Sequence, residues 1–432
     1  MSTALPEHPA AWQFCPRCQK ELPIASARAD CPECGGLLEV RHRPPQAREE
    51  ALRSLFARRR GRADPLDASG VWRFRELVLP DAGAEVVTYP EGNTPLLQRA
   101  AIGRFAGVEA LFAKHEGHNP TGSFKDRGMT VGITQAKRIG ARAVACASTG
   151  NTAASLAAYA AAAGVPALVF VPSGQVAAGK LAQTLAYGAR TLLVRGDFDA
   201  CFSLVREASE KLGVYLLNSI NPFRIEGQKT IVLELLEQLG WDPPDWIALP
   251  AGNLGNTAAF GKALREAGEA GLITRLPRLA AIQAEGANPF ARSFREGFTR
   301  KHAVVAETVA TAIKIGDPAS LDRAVESIRL TNGVVTDVTD EAILEAKAVV
   351  DAAGVGCEPA SAASVAGVAK LVSEGVIHVA DRVVAVLTGH ILKDPGLLLE
   401  YHQKREPPPA RANRPIEIEP RLWAVEKVLA GC

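Results

Sequence analysis

The stretch HEGHNPTGSFKDRGM, His115 to Met129, decides how the rest of the chain is read. Its centre is Lys125, set between Phe124 and Asp126 just after the turn-forming run Asn119-Pro120-Thr121-Gly122-Ser123. Proline presets φ, glycine supplies left-handed backbone, and Asn and Ser bond their own main chain, so this run fixes the direction in which Phe124 and Lys125 leave the turn. Ser123 is placed to cap a helix that carries Lys125 in its first turn. There, free N–H groups and the positive end of the helix dipole disfavour an ammonium and lower its pKa. A lysine held partly neutral is nucleophilic towards aldehydes, which makes Lys125 a candidate Schiff-base residue. The plain alternative is a solvated lysine at a helix start. A phosphate loop is excluded: Gly117 and Gly122 have the Walker spacing, but Ser123-Phe124 stand where Lys-Ser/Thr is required.

Downstream of the lysine the pattern becomes repetitive. Apolar runs at Ala143–Ala147, Ala167–Val171, Thr191–Val194 and Tyr215–Leu217 alternate with helical stretches starting near Thr130, Asn151, Ala178 and Asp199. A second series runs from Trp246–Leu249 through Leu279–Gln283 to Val383–Leu387. Strands separated by helices predict parallel sheets covered on both faces, an α/β fold of doubly wound type. Between Arg142 and Lys180 there is no charged residue, but Gly164-Val165-Pro166 divides this window into an Ala-rich helix and a short strand. It reads as buried core, not as a membrane span.

A chain of 432 residues predicts two or three domains. Apolar residues make up 47% and the formal charge is +2, which excludes the basic excess of a nucleic-acid binder and points to small-molecule partners. The N-terminal MSTALPEHPAAW has no basic region followed by an apolar run, so no secretory signal or transit peptide is expected and the cytoplasm is the default location. Cys15-Pro-Arg-Cys18 and Cys31-Pro-Glu-Cys34 are two CxxC knuckles twelve residues apart. Two short loops of this kind close a tetrahedral structural Zn2+ site, and Gly35-Gly36 suits the turn of a zinc ribbon. Disulfides are the weaker explanation in a reducing compartment. Cys146, Cys201, Cys357 and Cys432 have no ligand spacing and read as packed or terminal thiols. Arg53, Arg58, Arg59, Arg60 and Arg62 are read as a solvated helical linker, and the Pro-rich run after Glu406 as surface chain.

Three polar loops follow strands, where a doubly wound sheet builds its sites. Ser148-Thr149-Gly150-Asn151-Thr152 opens the Ala-rich helix and suits a carboxylate or another anionic oxygen. Pro250-Ala251-Gly252-Asn253-Leu254-Gly255-Asn256-Thr257 allows close backbone approach to a phosphate. Thr388-Gly389-His390-Ile391-Leu392-Lys393-Asp394 follows the last strong strand. Each alone reads equally well as a capped helix start. Together with an aldehyde-reactive lysine they answer the needs of pyridoxal 5'-phosphate, which has an aldehyde, a phosphate, a ring oxygen and a ring nitrogen. A nicotinamide site is the competing reading and fits far less well, because GNLGN is not GxGxxG and no acidic residue closes a strand at the expected distance.

With these residues in place, the chain from about Gly70 to Tyr401 resembles the threonine synthase family of fold-type II pyridoxal-phosphate enzymes. The motifs are NPTGSFKDRGM, ASTGNTAAS, NSINPFRIEGQKT, PAGNLGNT, EPASAAS and TGHILKDP. The resemblance implies two doubly wound, mainly parallel-sheet domains behind an N-terminal zinc-ribbon-like module. The expected division is 1–44 for the module, 45–130 with 225–405 for the large coenzyme-binding domain, 131–224 for the small domain and 406–432 for the tail. It also implies that Lys125 carries the coenzyme aldehyde, Asn151 faces its ring oxygen, Gly252, Asn253, Leu254, Gly255 and Asn256 hold its phosphate, and Thr388 meets its ring nitrogen. The implied reaction converts O-phospho-L-homoserine and water into L-threonine and phosphate, in a homodimer. The substrate carboxylate would then sit on Ser148, Thr149 and Thr152. Its phosphate would sit on Asn218, Ser219 and Arg224, with Lys114 and Asn253 as further candidates; a salt bridge from Arg224 to Glu226 is the competing role. One departure stands out: Ile391 takes the place of a second glycine that the family often has after Thr-Gly-His. An O-phosphoserine enzyme resembling cysteate synthase, a serine/threonine ammonia-lyase and a catalytically silent zinc-ribbon protein are the alternatives.

Overall fold

Glycine and proline punctuate the chain after nearly every apolar run, and in the computed structural model those runs pair as strands. Residues 10–174 and 178–430 are described; Cys432 lies outside them. Strands β1 (Ala11–Phe14), β2 (Glu21–Pro23) and β3 (Glu39–His42) form a small antiparallel sheet in the order β2-β1-β3. After β4 (Leu96–Gln98) and β5 (Ala110–His115) come β6 (Ala143–Ala147), β7 (Ala167–Pro172), β8 (Arg190–Val194) and β9 (Val214–Leu216). The last four make a wholly parallel sheet in the order β8-β7-β6-β9. With β10 (Trp246–Pro250), β11 (Arg278–Ala284), β12 (Val334–Val338) and β13 (Arg382–Leu387), the chain completes a second sheet, β12-β11-β10-β13-β5-β4. Only β4 runs antiparallel there. Every residue of β6 and β10 is buried, as strands covered on both faces require.

The helix Lys125–Arg138 carries Lys125 in its first turn, ahead of the apolar stretch from Thr130, and Asp126 and Arg127 of that turn are buried. Arg127 donates through Nε to Glu116 Oε2 at 2.7 Å and through Nη2 to Glu116 Oε1 and Glu234 Oε1, both at 2.9 Å. Lys114 donates to Glu234 Oε1 at 2.6 Å, and Arg73 to Glu237 Oε2 at 2.7 Å. These cations hold the Glu234 carboxyl far below its ordinary range despite burial. The network ties β5, the Lys125 helix and the helix Thr230–Gln238 together behind the lysine. Removing one member leaves buried charge uncompensated, so Glu234→Ala should cost about 3–5 kcal/mol. Chemical denaturation checks this, and a loss below about 1 kcal/mol would contradict it.

The Ala-rich helix Asn151–Ala163 stops at Gly164, whose φ of 67° supplies the left-handed residue that ends it. Among the described residues, no helix is long and apolar enough to cross a membrane. Residues 394–432 form a separate unit containing the helices Pro395–Leu399 and Leu422–Leu429.

Candidate active site

The polar loops that follow β5, β6, β9, β10 and β13 all leave the carboxyl ends of parallel strands, where open α/β sheets bind ligands. Lys125 is the first residue of its helix, yet Ser123 does not cap it: the Ser123 hydroxyl is buried without a hydrogen-bond partner. Asp126 holds the turn instead. It accepts from Thr121 N at 2.7 Å, Thr121 Oγ1 at 2.6 Å and Ser155 Oγ at 2.6 Å. Phe124 N donates to the Thr388 carbonyl at 3.0 Å and His390 N to the Gly122 carbonyl at 2.9 Å, so the lysine turn is stitched to the loop after β13.

The Lys125 ammonium lies 3.8 Å from the centroid of the Phe124 ring. Among the described residues, no carboxylate comes within ion-pair distance of it. Burial brings its pKa down to about 7, the Arg224 cation pushes the same way, and Glu358 partly opposes both. The lowering expected from a helix start thus has burial as its main cause. Because the neutral amine is the nucleophile, capture of a pyridoxal aldehyde by coenzyme-free protein should rise as pH passes about 7 and then level off. An ordinary lysine would keep gaining rate towards its usual 10.5. Stopped-flow absorbance of the coloured imine from roughly pH 6 to roughly pH 11, a range that spans both values, separates the two.

Glu358, which sequence reasoning passed over inside EPASAAS, is the unforeseen member of the site. Its buried carboxylate accepts from Asn151 Nδ2 at 2.9 Å and from Thr388 Oγ1 at 3.2 Å. Burial raises its pKa, which those two bonds and the Lys125 and Lys393 ammonium groups oppose. Thr388 is also 3.0 Å from Ser361 Oγ, which accepts from Gly389 N at 3.0 Å. A side chain at Gly389 would collide with the Glu358 carboxyl group, so this loop must carry glycine there. Ile391 lies over Gly356, whose φ of +70° and missing Cβ leave room for it.

In the loop after β10, Leu254 takes a φ of 62° immediately before the helix Gly255–Glu269. First-turn amides of such a helix have no intrahelical acceptor. The side-chain oxygens of Asn256 and Thr257 are buried without partners. Asn253 is already committed: its amide nitrogen donates to Ser219 Oγ and its oxygen accepts from Ala319 N, both at 2.7 Å. Ser219 therefore keeps its own O–H to donate. Ser148, Thr149, Asn151 and Thr152 are half-buried around the start of the Ala-rich helix.

Arg224 is buried and donates through Nη1 to the Leu217 carbonyl at 3.0 Å, while Nε and Nη2 have no partner. Those two donors share one edge of the guanidinium, the edge that matches a carboxylate or phosphate bidentately. Burial lowers its pKa to about 10. The competing bridge to Glu226 is not made, since Glu226 pairs with Lys229 and Lys262. Two expected phosphate ligands are placed elsewhere. Lys114 spends its three N–H groups on Glu234, the Thr94 carbonyl and Gln238 at 2.6, 2.7 and 2.9 Å. Asn218 exchanges both of its bonds with the Ala147 backbone at 3.0 Å.

At the N-terminus, Sγ of Cys15 is 3.5 Å from that of Cys34, Cys18 is 3.5 Å from Cys31, and all four lie within 4.8 Å of one another. Tetrahedral zinc with Zn–S bonds near 2.3 Å needs sulfurs about 3.8 Å apart. The four thiols fit that ion.

The sequence matches the family model for pyridoxal-phosphate dependent enzymes over residues 87–389. It is 40% identical to the threonine synthase of Methanocaldococcus jannaschii, across 96% of this chain and 99% of that one. With the threonine synthase of Methanosarcina acetivorans the identity is 44%, across 96% and 98%. The crystal structure of threonine synthase from Escherichia coli matches with a TM-score of 0.66, over 97% of this chain and 99% of that one, at 18% identity. That last likeness is one of fold.

Proposed function

Since the chain belongs to the pyridoxal-phosphate dependent enzymes and, within them, to the threonine synthases, we propose that its substrate is O-phospho-L-homoserine and that Lys125 and Arg224 carry the reaction. The protein is a lyase that makes L-threonine. The observation that carries the substrate assignment is the Arg224 guanidinium, buried with one donor edge unused close enough to Lys125 to depress its pKa.

The residues fit the coenzyme. Lys125 Nζ is the attachment point for its aldehyde, Asn151 donates towards its ring oxygen, and Gly252 to Asn256 with the first turn of the following helix receive its phosphate. Thr388, whose hydroxyl donates to Glu358, would turn that proton to the ring nitrogen when the coenzyme binds, and a hydroxyl rather than a carboxylate there would leave that nitrogen largely unprotonated. When bound, pyridoxal phosphate supplies a sink for the electrons released next to the amino-acid nitrogen. The free edge of Arg224 and the Ser219 hydroxyl bind the phosphate of the substrate, and Ser148, Thr149 and Thr152 its carboxylate. Lys125, with a pKa near 7, is matched to moving protons at neutral pH. It takes the α proton and assists loss of the β proton as phosphate leaves the γ carbon. One proton then goes to the γ carbon, making it a methyl group, water adds at the β carbon with its spare proton passing to the departing phosphate, and Lys125 returns the last proton to the α carbon. The sum is O-phospho-L-homoserine and water going to L-threonine and phosphate.

On the same footing stand a structural Zn2+ on Cys15, Cys18, Cys31 and Cys34, a homodimer, a cytoplasmic location and the four-part division at residues 44, 130, 224 and 405. Metal analysis returning one zinc per chain supports the first, and metal-free purified protein opposes it. Incubation of holoenzyme with O-phospho-L-homoserine, scoring threonine and phosphate together, tests the substrate. Equal yields are expected. Phosphate from O-phospho-L-serine but not from phosphohomoserine would move the assignment to the alternative substrate.

A further inference from the structure

A cavity of about 390 Å³ is lined by none of the candidate active-site residues, although two of the helices that wall it also carry some of them. Its walls are the helices Pro222–Gln228, Gly255–Glu269 and Leu321–Leu330, with Glu39 contributed by β3. Volumes of this order suit small metabolites. Most of its carboxylates are spoken for: Glu39 accepts from Arg41 Nε at 2.8 Å, and Glu226 pairs with Lys229 and Lys262. The guanidinium groups are not. Arg323 bonds the Leu38 carbonyl through Nη2, but its Nε and Nη1 are buried with no partner. Arg265 and Arg329 also line the cavity, and among the described residues neither has a carboxylate within ion-pair distance. Glu39, Glu326 and Glu226 attract Arg323 electrostatically, and Glu326 also attracts Arg265, yet none of them bonds the two free Arg323 nitrogens. A buried guanidinium with two unanswered nitrogens is costly unless something supplies acceptors.

We propose that this cavity binds a small dianion, held by Arg323 and assisted by Arg265 and Arg329. The shared chemistry is that of a dicarboxylate or a tetrahedral oxyanion, both of which guanidinium groups recognise through charge-assisted hydrogen bonds. The site is independent of the reading of Lys125 and Arg224, and its failure would leave that reading untouched.

Equilibrium dialysis of the holoenzyme with radiolabelled succinate and, separately, radiolabelled sulfate tests it. An Arg224→Gln background silences the proposed catalytic phosphate site. One saturable site per chain is expected to remain there for at least one probe, and the probe that binds tells dicarboxylate from tetrahedral oxyanion. Adding Arg323→Gln should weaken that site about tenfold or more, as expected for losing a charge-assisted bond. Arg265→Ala, a change at an exposed position that leaves the fold alone, should weaken it several-fold. Absence of a saturable site for both probes, or a site indifferent to Arg265→Ala, would overturn the proposal. So would Arg323→Gln that lowers zinc content without touching anion binding, because that guanidinium would then be serving the thiolates.

Discussion

Lys125→Ala is expected to abolish threonine formation, with a loss on the order of 10³-fold or more, since in the proposed reaction one side chain both anchors the coenzyme and moves the protons. The fold should survive. Lys125 belongs to neither the Asp126 turn nor the Arg127 network, which hold the helix from adjacent positions. Far-ultraviolet circular dichroism should therefore match the unsubstituted protein while steady-state turnover vanishes. The coenzyme should still bind, more weakly, through the loop after β10. Turnover within tenfold of the parent enzyme would show that another amine does this work.

Arg224→Gln is expected to raise KM for O-phospho-L-homoserine by about 10- to 100-fold, the equivalent of one or two charge-assisted hydrogen bonds. Arg224→Lys should recover only part of this, because an ammonium cannot offer two parallel donors on one edge. A second readout separates binding from mere packing. The Arg224 cation helps depress the Lys125 pKa, so its removal should shift the midpoint of imine formation upward from about 7. A variant that only loosened the fold would lower the denaturation midpoint and leave that titration in place. Unchanged KM and an unchanged midpoint together would remove Arg224 from the site.

How much of the fold and site is legible in the sequence depends on whether a residue's neighbours are local. Strands β6, β7, β10 and β13 are continuous apolar runs closed by polar turns, and they are readable within a residue or two. Strands β5 and β12 are not. The first ends in Lys114 and His115 and the second contains Thr336 and Asp337, polar residues that ordinarily argue against a buried strand. Here they are buried because partners far along the chain meet them, Glu234 for Lys114 and Asn288 for Asp337. The same blindness explains the site. Lys125 and the loop after β10 stand out by their turn chemistry, whereas Ser123 as a cap is a local inference that Asp126 displaces. Lys114 and Asn218 have the right chemistry for a phosphate but spend it on Glu234 and on the Ala147 backbone. Glu358 lies in the EPASAAS motif, yet its place between Asn151 and Thr388 joins positions 151, 358 and 388, which no spacing reveals.

The most direct measurement is borohydride reduction of the coenzyme-loaded enzyme, followed by proteolysis and mass spectrometry of the peptides. Reduction makes the bond between lysine and coenzyme permanent, so the modified residue can be read from the fragment. The pyridoxyl-phosphate mass is expected on the peptide containing Lys125 and on no other. Its appearance on a different lysine, or on none, would contradict the account.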